Sequence, residues 1–425
     1  MNFSFHTLGC KVNQFETNSL KEIVLSKGYT ICDEKPDVFI INTCTVTAIS
    51  DKKNIKLIKK IKNANKNAII AVCGCFAQVS PEKASQIDGV DIICGTSNRA
   101  DVINMCIDCY ESNTKYTQIA ENPDKNEFEV LPISLNSNRT RELLKIQDGC
   151  NNFCSYCIIP YARGRSRSLK FDDVIHQTQQ LSNLGTKEII ITGIEIASYG
   201  LDIDTSLTEL IAYLCKNFPN IRFRLGSLEP RVITDIFCET LCNFNNLVPH
   251  FHLSLQSGCD AVLKRMNRKY NTELFYENCC KLRKYFINPS ITTDLIVGFP
   301  QETNDEFQET LEFIEKCNFS SMHIFPYSIR EGTSAEKMSS HISTEIKNSR
   351  AKQAISLANS MENLYLTSFI GKEIDVIIEL PKNNSISGHS QYHFPVECVG
   401  ENFERGKLYK LTVSDVKNNK IYAKN

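Results

Sequence analysis

The first part of the chain alternates short apolar runs with stretches of helical periodicity. Residues 13–27 predict an amphipathic helix that ends at Gly28, and the apolar runs predict strands. The strands are expected at residues 3–7, 37–42, 68–72 and 91–93. Because strands that alternate with helices are typical of a parallel sheet, we predict a parallel-sheet α/β domain over residues 1–105.

A polar stretch separates this domain from a second series of strands and helices. Residues 106–138 predict a linker. Cys106 and Cys109 form a C-x2-C pair within it, but no second pair lies at a suitable distance. We therefore expect no metal site in the linker.

The pattern of a strand followed by a helix then recurs six times over residues 139–370. The strands are expected at residues 143–147, 188–192, 221–225, 250–255, 291–297 and 322–325. Helical segments separate the strands, for example at residues 172–184, 271–285 and 305–316, and a further helix is expected at residues 345–369. This repeat predicts a partial (β/α)6 barrel, whose active face lies at the carboxyl ends of its strands.

The last part of the chain, residues 371–425, changes character. Short runs of alternating polarity at residues 373–379, 409–413 and 420–423, with turn residues between them, predict a small β-barrel. Barrels of this size often bind nucleic acid, and a structural cap is the alternative. The predicted fold class is therefore α/β, with a partial barrel in the centre and a small β-barrel at the end.

The composition is that of an ordinary globular protein. A chain of 425 residues is too long for one ordinary hydrophobic core, so two or three domains are expected. Its content of 42% apolar and 23% charged residues is typical of soluble proteins. The chain opens without a signal-peptide pattern, and no apolar stretch approaches membrane-spanning length. We therefore expect a cytoplasmic protein without a membrane partner, in which the 19 cysteines are metal ligands or buried thiols rather than disulfides.

Three of these cysteines lie in one short loop after the first predicted barrel strand. Cys150, Cys154 and Cys157 have the spacing C-x3-C-x2-C. Iron–sulfur clusters are normally held by four thiolates, so three leave one iron open for a small molecule. In radical chemistry this molecule is usually S-adenosylmethionine (SAM). A zinc knuckle or a chance cluster is the alternative, although zinc sites usually combine two C-x2-C halves.

A second set of three cysteines is dispersed along the N-terminal domain. Cys10, Cys44 and Cys75 each follow the carboxyl end of a predicted strand. Because the carboxyl ends of parallel strands meet at one edge of a sheet, we expect the three thiols to converge. Three small buried residues at strand ends are the alternative, and Cys73 competes with Cys75 for the third position.

The charge of the chain is balanced overall but uneven along it. The formal net charge is −1, yet residues 52–66 contain seven lysines and no acid, and Arg163, Arg165 and Arg167 follow the cysteine loop. Basic patches on a neutral chain indicate a local polyanion site. The alternatives are a solvated helix face for the lysines and structural salt bridges for the arginines.

Several motifs resemble those of radical-SAM methylthiotransferases. The segment at 148–168 resembles the signature of this family, and the likeness extends to an N-terminal cluster domain, a radical-SAM barrel and a C-terminal TRAM domain. The run Thr7-Leu-Gly-Cys-Lys-Val-Asn is similar to the branch that acts on threonylcarbamoyladenosine in tRNA. The isopentenyladenosine branch usually shows Tyr-Gly-Cys-Gln-Met-Asn, and the ribosomal-protein branch shows Leu-Gly-Cys-Pro-Lys-Asn.

This resemblance implies a reaction and its cofactors. A methylthio group is added to carbon 2 of N6-threonylcarbamoyladenosine at tRNA position 37, with SAM and two 4Fe–4S clusters as cofactors. The resemblance makes Cys150, Cys154 and Cys157 the ligands of the radical cluster. By the same resemblance the ligands of the auxiliary cluster are Cys10, Cys44 and Cys75. The context Gly-Cys-Phe-Ala-Gln at 74–78 selects Cys75 over Cys73.

Polar residues near the carboxyl ends of the barrel strands are candidates for binding SAM or the substrate base. They are Glu195, Glu229, Gln256 and Asp294. Buried polar groups that hold barrel loops together are the alternative for each of them. The implied partners are an electron donor and a tRNA anticodon loop, whose single-stranded bases can be splayed into a pocket. Arg163, Arg165 and Arg167 are candidates for holding the flanking phosphates, and a monomer is expected.

Two other functions fit the same motifs. One is a methylthiotransferase that acts on isopentenyladenosine or on a ribosomal protein. The other is a non-catalytic iron–sulfur protein that binds RNA. The second needs no cleavage of SAM, so formation of 5′-deoxyadenosine distinguishes it from the enzymes.

Overall fold

The computed structural model describes residues 1–121, 123, 127–135, 140–379, 386–400 and 402–425. They form an N-terminal sheet covered by helices, a central barrel and a small C-terminal barrel. This architecture confirms the predicted fold class. No helix within these ranges is long and apolar enough to cross a membrane.

The N-terminal sheet has six parallel strands where the apolar runs predicted four. The strands are β1 (Asn2–Thr7), β2 (Thr30–Ile31), β3 (Val38–Thr43), β4 (Ile69–Gly74), β5 (Ile92–Cys94) and β6 (Tyr116–Gln118). Their order across the sheet is β2-β1-β3-β4-β5-β6. The central strands β3 and β4 are almost fully buried, as expected where helices cover both faces of a parallel sheet.

Helices pack on both faces of this sheet. They are α1 (Lys11–Ser26), α2 (Ala48–Ala64), α3 (Cys75–Val79), α4 (Pro81–Ser85) and α5 (Asp101–Ser112). Leu20 of α1 and Val102 of α5 belong to the apolar core on one face. Ile58 of α2 and Phe76 of α3 belong to the core on the other face. The sheet is thus the middle layer of three.

The structure corrects the predicted linker at residues 106–138. The first part of that range continues α5 and then adds the edge strand β6 to the sheet. Cys106 and Cys109 are buried on the inner face of α5, whereas Asn104, Asp108 and Glu111 are exposed. An amphipathic helix has polar side chains on its exposed face and apolar ones on its buried face. The exposed polar residues of α5 therefore made this segment resemble a linker. Residues 122, 124–126 and 136–138 of the predicted linker lie outside the described residues.

The central barrel is an open, curved parallel sheet. Its strands are β7 (Glu142–Lys145), β8 (Gln147–Asp148), β9 (Arg167–Ser168), β10 (Glu188–Thr192), β11 (Arg222–Leu225), β12 (Ser227–Leu228), β13 (His250–Gln256), β14 (Ser290–Val297) and β15 (Ser321–Pro326). One parallel group has the order β11-β10-β7, and the other has the order β12-β13-β14-β15. Only Gly226 separates β11 from β12, so these two strands occupy one position in the barrel and connect the two groups. Counted in this way, the parallel strands of the barrel occupy the six positions that were predicted.

Helices surround the barrel strands. They are α6 (Ile159–Arg163), α7 (Phe171–Asn183), α8 (Leu207–Asn217), α9 (Asp235–Leu241), α10 (Asp260–Arg265), α11 (Thr272–Tyr285), α12 (Asn304–Cys317) and α13 (Thr344–Thr367). The apolar faces of these helices and the strands form the largest core of the chain. The short antiparallel pair β8–β9 lies apart from the parallel groups and closes the loop that contains Cys150, Cys154 and Cys157.

The C-terminal barrel is closed and docks on the central one. Its strands are β16 (Glu373–Ile378), β17 (Ile386–Ser390), β18 (Pro395–Val399), β19 (Leu408–Lys417) and β20 (Lys420–Lys424), in the order β16-β17-β18-β20-β19. Arg224 of β11 donates to the carbonyl oxygen of Ser390 at 3.1 Å, and its Nε donates to Glu188 at 2.8 Å. Arg222 makes similar bonds to Glu188 and to the carbonyl of Asp375. Docking therefore uses buried, paired arginines.

Candidate functional site

The cysteine loop of the central barrel is held in a fixed shape by its backbone. Gly149 has a φ of +73°, and a Cβ atom there would lie 1.9 Å from the carbonyl oxygen of Arg165. Only glycine fits such a close approach. Phe153 also has a positive φ, 46°, and its carbonyl oxygen accepts a bond from the side chain of Asn267 at 2.8 Å. In addition to burial, the thiols of Cys150 and Cys154 are near enough to Cys157 to raise its pKa, so this tight loop brings the three cysteines together.

The three thiols of this loop lie in a largely buried environment. The backbone N–H of Asn152 donates to Sγ of Cys150 at 3.5 Å, and Nη1 of Arg268 donates to Sγ of Cys154 at 3.1 Å. Burial raises the pKa of Cys150 and of Cys157 to about 12. Such thiols ionise only when a positive charge stabilises the thiolate, and bound iron supplies that charge. The donor set therefore fits an iron–sulfur cluster.

The structure also brings the dispersed cysteines together at the carboxyl edge of the N-terminal sheet. Cys10 caps α1, Cys44 follows β3, and Cys75 is the first residue of α3. A Cβ atom on Gly9 would lie 2.6 Å from Cβ of Cys44, so the loop of Cys10 passes directly over Cys44. Burial raises the pKa of Cys75 to about 11 against the lowering effect of Arg163, and the nearby thiols of Cys44 and Cys10 contribute to the rise. These three thiols form the second candidate ligand set.

The rival residue Cys73 points away from this site. It lies within β4, pairs in register with Cys94 and belongs to the apolar core on one face of the sheet. Burial raises its pKa well above the usual value. The geometry therefore favours Cys75. Among the described residues, no three or more His, Cys, Asp or Glu side chains form the close group that a single metal ion needs.

Five buried charged residues connect the two ligand sets, and we call them the interdomain charge cluster: Glu16, Arg99, Lys145, Asp148 and Arg163. Nη1 of Arg163 donates to Glu16 at 2.8 Å and to Asp148 at 3.0 Å, while its Nε donates to Sγ of Cys75 at 3.3 Å. Burial opposes ionisation of Glu16, but the positive charges of Arg163, Arg99 and Lys145 lower its pKa to about 2. Asp148 lies two residues before Cys150. Arg163 therefore contacts Cys75 of one ligand set and the segment that precedes the other set.

This burial corrects the RNA-binding role predicted for two of the three arginines. Arg163 is 0% exposed, so no phosphate can reach its guanidinium. Nη1 of Arg167 donates to the carbonyl oxygens of Arg163 and Arg165, and the residue is buried. Arg165 is exposed, and its guanidinium lies 4.6 Å from the centre of the Phe153 ring. Of the three, Arg165 alone remains a candidate for contacting RNA.

Two of the four polar candidates share a cavity of 220 Å³ beside the cysteine loop. Glu195 accepts a bond from Nδ2 of Asn152 at 3.1 Å, and Glu229 accepts one from Nε of Arg231 at 2.8 Å. Burial, followed by the negative charge of Glu229, raises the pKa of Glu195 to about 7. Adjacent carboxyl groups next to Asn152 can accept hydrogen bonds from an ammonium group.

The other two candidates lie elsewhere. Gln256 ends β13 with a φ of 69°, and it lines neither the cavity of Glu195 nor the larger one described next. Asp294 lies in the middle of β14, with Oδ2 3.2 Å from Nε2 of His252. The four predicted residues therefore do not share one site. The strand β14 has eight residues, so Asp294 in its middle lies well away from the carboxyl end of the strand.

A larger cavity of 440 Å³, which we call the central cavity, was not predicted from the sequence. Lys11 of α1, barrel residues that include His250, His252 and Asp294, and His393 of the C-terminal barrel line it. All three parts of the chain therefore contribute. Burial, followed by the charge of Arg224, lowers the pKa of His393 to about 2 and that of His250 well below its usual value. The alternation of polar residues along β13 and β14 is the one local signal of this cavity.

Two family models match the chain. The model described as the Radical SAM superfamily matches residues 144–314, which include the cysteine loop. The model described as Uncharacterized protein family UPF0004 matches residues 2–95, which include the other three candidate ligands.

Named relatives also match over nearly the whole chain. Threonylcarbamoyladenosine tRNA methylthiotransferase MtaB of Bacillus subtilis (strain 168) is 38% identical over 419 residues, or 96% of this chain and 93% of the relative. The tRNA-2-methylthio-N(6)-dimethylallyladenosine synthase of Alkaliphilus oremlandii (strain OhILAs) is 33% identical over 424 residues, or 96% and 89%. The radical SAM methyltransferase TsrM of Kitasatospora setae shares the fold, with a TM-score of 0.56 at 11% identity over 76% of this chain and 72% of TsrM. The chain belongs to the radical-SAM tRNA methylthiotransferase family.

Proposed function

We propose that this enzyme adds a methylthio group to carbon 2 of N6-threonylcarbamoyladenosine at position 37 of tRNA. The observation that carries the proposal is the placement of two three-cysteine sets on either side of Arg163, which contacts Cys75 and the segment before Cys150. The name of the Bacillus subtilis relative supports the choice of nucleoside. SAM and 4Fe–4S clusters are the cofactors of this family.

In this proposal each part of the chain has its own task. Residues 1–118 hold the auxiliary cluster through Cys10, Cys44 and Cys75, and the barrel at 140–370 holds the radical cluster through its loop cysteines. When bound, the clusters and SAM supply reductive cleavage of SAM and a place for the sulfur that is transferred. Glu195 and Glu229 hold the ammonium group of SAM beside the loop.

The tRNA is bound by exposed basic side chains and by the C-terminal barrel at 371–425. Arg165 lies beside the cysteine loop, and α2 exposes lysines along one face. They are Lys52, Lys53, Lys56, Lys59 and Lys60. An anticodon-loop base is unpaired, so it can leave its stack and enter a pocket while basic groups hold the flanking phosphates. A cytoplasmic monomer that receives electrons from a separate donor completes the proposal.

Anaerobic turnover tests the proposal. The reconstituted enzyme is incubated with dithionite, SAM and an anticodon stem-loop that carries threonylcarbamoyladenosine. We expect 5′-deoxyadenosine and a 2-methylthio nucleoside by mass spectrometry, with neither formed by Cys154→Ala and both formed by Cys106→Ala, a matched cysteine outside the two sets. Absence of 5′-deoxyadenosine with the wild-type enzyme would establish the non-catalytic RNA-binding alternative.

A second substrate is favoured by one specific finding. The relative from Alkaliphilus oremlandii is named for action on dimethylallyladenosine and covers almost the same length of chain. A stem-loop that carries this nucleoside, assayed in parallel, decides between the two. Faster methylthiolation of the dimethylallyl substrate would replace the proposed nucleoside and leave the reaction type unchanged.

A further inference from the structure

We propose that the central cavity binds the N6 substituent of the substrate adenosine, and that the ammonium group of Lys11 pairs with the carboxylate of that substituent. The inference rests on the proposed function, because it takes the substituent to be threonylcarbamoyl. It adds a binding site and a specificity-determining residue that lie outside the two cysteine sets.

The position of Lys11 is the first argument. Lys11 directly follows Cys10 and opens α1, so its backbone lies at the second ligand set. Its side chain faces the central cavity rather than the interdomain charge cluster. The carbon that receives sulfur must lie near that ligand set, and the N6 substituent is attached to the same base. A cavity that begins at Lys11 is therefore placed to receive the substituent.

The charge balance of the cavity is the second argument. Its lining contains one lysine, four histidines and the carboxylates of Asp294 and Glu362. Asp294 is paired with His252 at 3.2 Å, whereas among the described residues no salt bridge involves Lys11, and the carboxylate that acts on its pKa is that of Glu188. Arg224, which lies near Lys11, is bound to Glu188. An anion in the cavity would therefore find Lys11 available.

The polarity of the lining is the third argument. Hydroxyl and imidazole groups dominate the barrel side of the cavity, as at Ser290, Thr292 and His323. A threonylcarbamoyl group offers a carboxylate, a hydroxyl and N–H donors, and Asp294 can accept from such a donor. A dimethylallyl group would leave these polar groups without partners. A site built for hydrogen bonds rejects an analogue that lacks them far more strongly than an apolar pocket rejects an added group.

Binding measurements with RNA test the inference without relying on turnover. Affinity of the cluster-loaded enzyme is measured for stem-loops that carry threonylcarbamoyladenosine, dimethylallyladenosine or adenosine. We expect Lys11→Gln to weaken binding of the threonylcarbamoyl stem-loop by about 10- to 100-fold, as for loss of a hydrogen bond to a charged group, and to leave the adenosine stem-loop unchanged. Lys11→Arg keeps the positive charge and should bind the threonylcarbamoyl stem-loop with most of the wild-type affinity.

Two further variants keep the test independent of cluster assembly. Lys27→Gln, at the opposite exposed end of α1, is the matched control and should bind all three RNAs as wild type does. Ser227→Phe fills the cavity from β12, away from the six candidate cysteine ligands, and should weaken the threonylcarbamoyl complex but not that of the adenosine stem-loop. Iron content and the visible spectrum of each variant are measured alongside.

The outcomes separate the inference from the proposed function. If Lys11→Gln and Ser227→Phe bind the threonylcarbamoyl stem-loop as tightly as wild type while wild type still methylthiolates it, the inference is overturned and the function stands. An equal loss for all three RNAs also overturns it, because Lys11 would then act on the RNA backbone or the fold. If wild type does not modify the threonylcarbamoyl stem-loop at all, the proposed substrate fails and the inference fails with it.

Discussion

The interdomain charge cluster and the central cavity both contain basic side chains, but the two sites differ in exposure and in what faces those side chains. Arg163 and Lys145 are buried, whereas Lys11 is exposed. In the cluster, Arg163 and Lys145 each contact Glu16 and Asp148 at 2.7–3.0 Å. In the cavity, Lys11 faces open space and four histidines, and burial lowers the pKa of two of them, His250 and His393. A buried charge with a counter-charge supports the fold, and an exposed charge without one fits the binding role proposed for Lys11.

Substitution of Arg163 in the interdomain charge cluster has the largest expected effect on stability. We expect Arg163→Met to lower the free energy of unfolding by about 3–5 kcal/mol, because Glu16 and Asp148 would lose a buried counter-charge. Urea denaturation of the iron-free protein measures this change. Arg165→Met, two residues away and exposed, should cost less than about 1 kcal/mol. Equal costs for the two variants would contradict the assignment of Arg163 to the fold.

A pair of lysines tests the comparison directly. Lys145→Met removes a lysine bonded to Glu16 and Asp148, and we expect a loss of about 3–5 kcal/mol in the free energy of unfolding. Lys11→Met removes a lysine without a carboxylate partner, so the free energy of unfolding should change by less than about 0.5 kcal/mol. Denaturation curves of the two variants, measured side by side, give the difference. A large cost at Lys11 would mean that it supports the fold.

The dependence of the free energy of unfolding on pH tests the role of the interdomain charge cluster. The folded-state pKa of Glu16 is about 2, below its ordinary value of 4.5, so its contribution is present above pH 4.5 and is lost as the pH falls toward 2. We expect wild type to lose about 3 kcal/mol more than Glu16→Gln over this interval. Urea titrations of both iron-free proteins at pH 5 and pH 3 give the two free energies of unfolding at each pH, and about 2 kcal/mol of this difference should appear between those two pH values. Parallel losses in the two proteins would show that Glu16 does not retain its charge.

The smallest expected effect concerns the one exposed arginine of the three. If Arg165 contacts a phosphate of single-stranded RNA, Arg165→Gln should reduce the slope of log affinity against log salt concentration by about 0.7. Binding of an anticodon stem-loop over a series of salt concentrations gives this slope. Lys27→Gln is the control and should leave it unchanged. An unaltered slope in Arg165→Gln would remove the last of the three predicted phosphate contacts.

The sequence was sufficient where local pattern and topology determine position. Cys10, Cys44 and Cys75 could be placed together because parallel strands end at one edge, and the fold class followed from the periodicity of the strands and helices. The arginines could not be sorted, because Arg163 is buried by Glu16, which lies 147 positions away in the chain. The central cavity was missed for the same reason. Lys11 and His393 reach it from opposite ends of the sequence.

Nucleoside mass spectrometry of tRNA from a deletion strain tests the central claim most directly. We expect 2-methylthio-N6-threonylcarbamoyladenosine to disappear and its unmodified precursor to accumulate. The wild-type gene and Cys106→Ala should restore the product, and Cys154→Ala should not. An unchanged level of the methylthio nucleoside, in a strain with no redundant enzyme, would contradict the account.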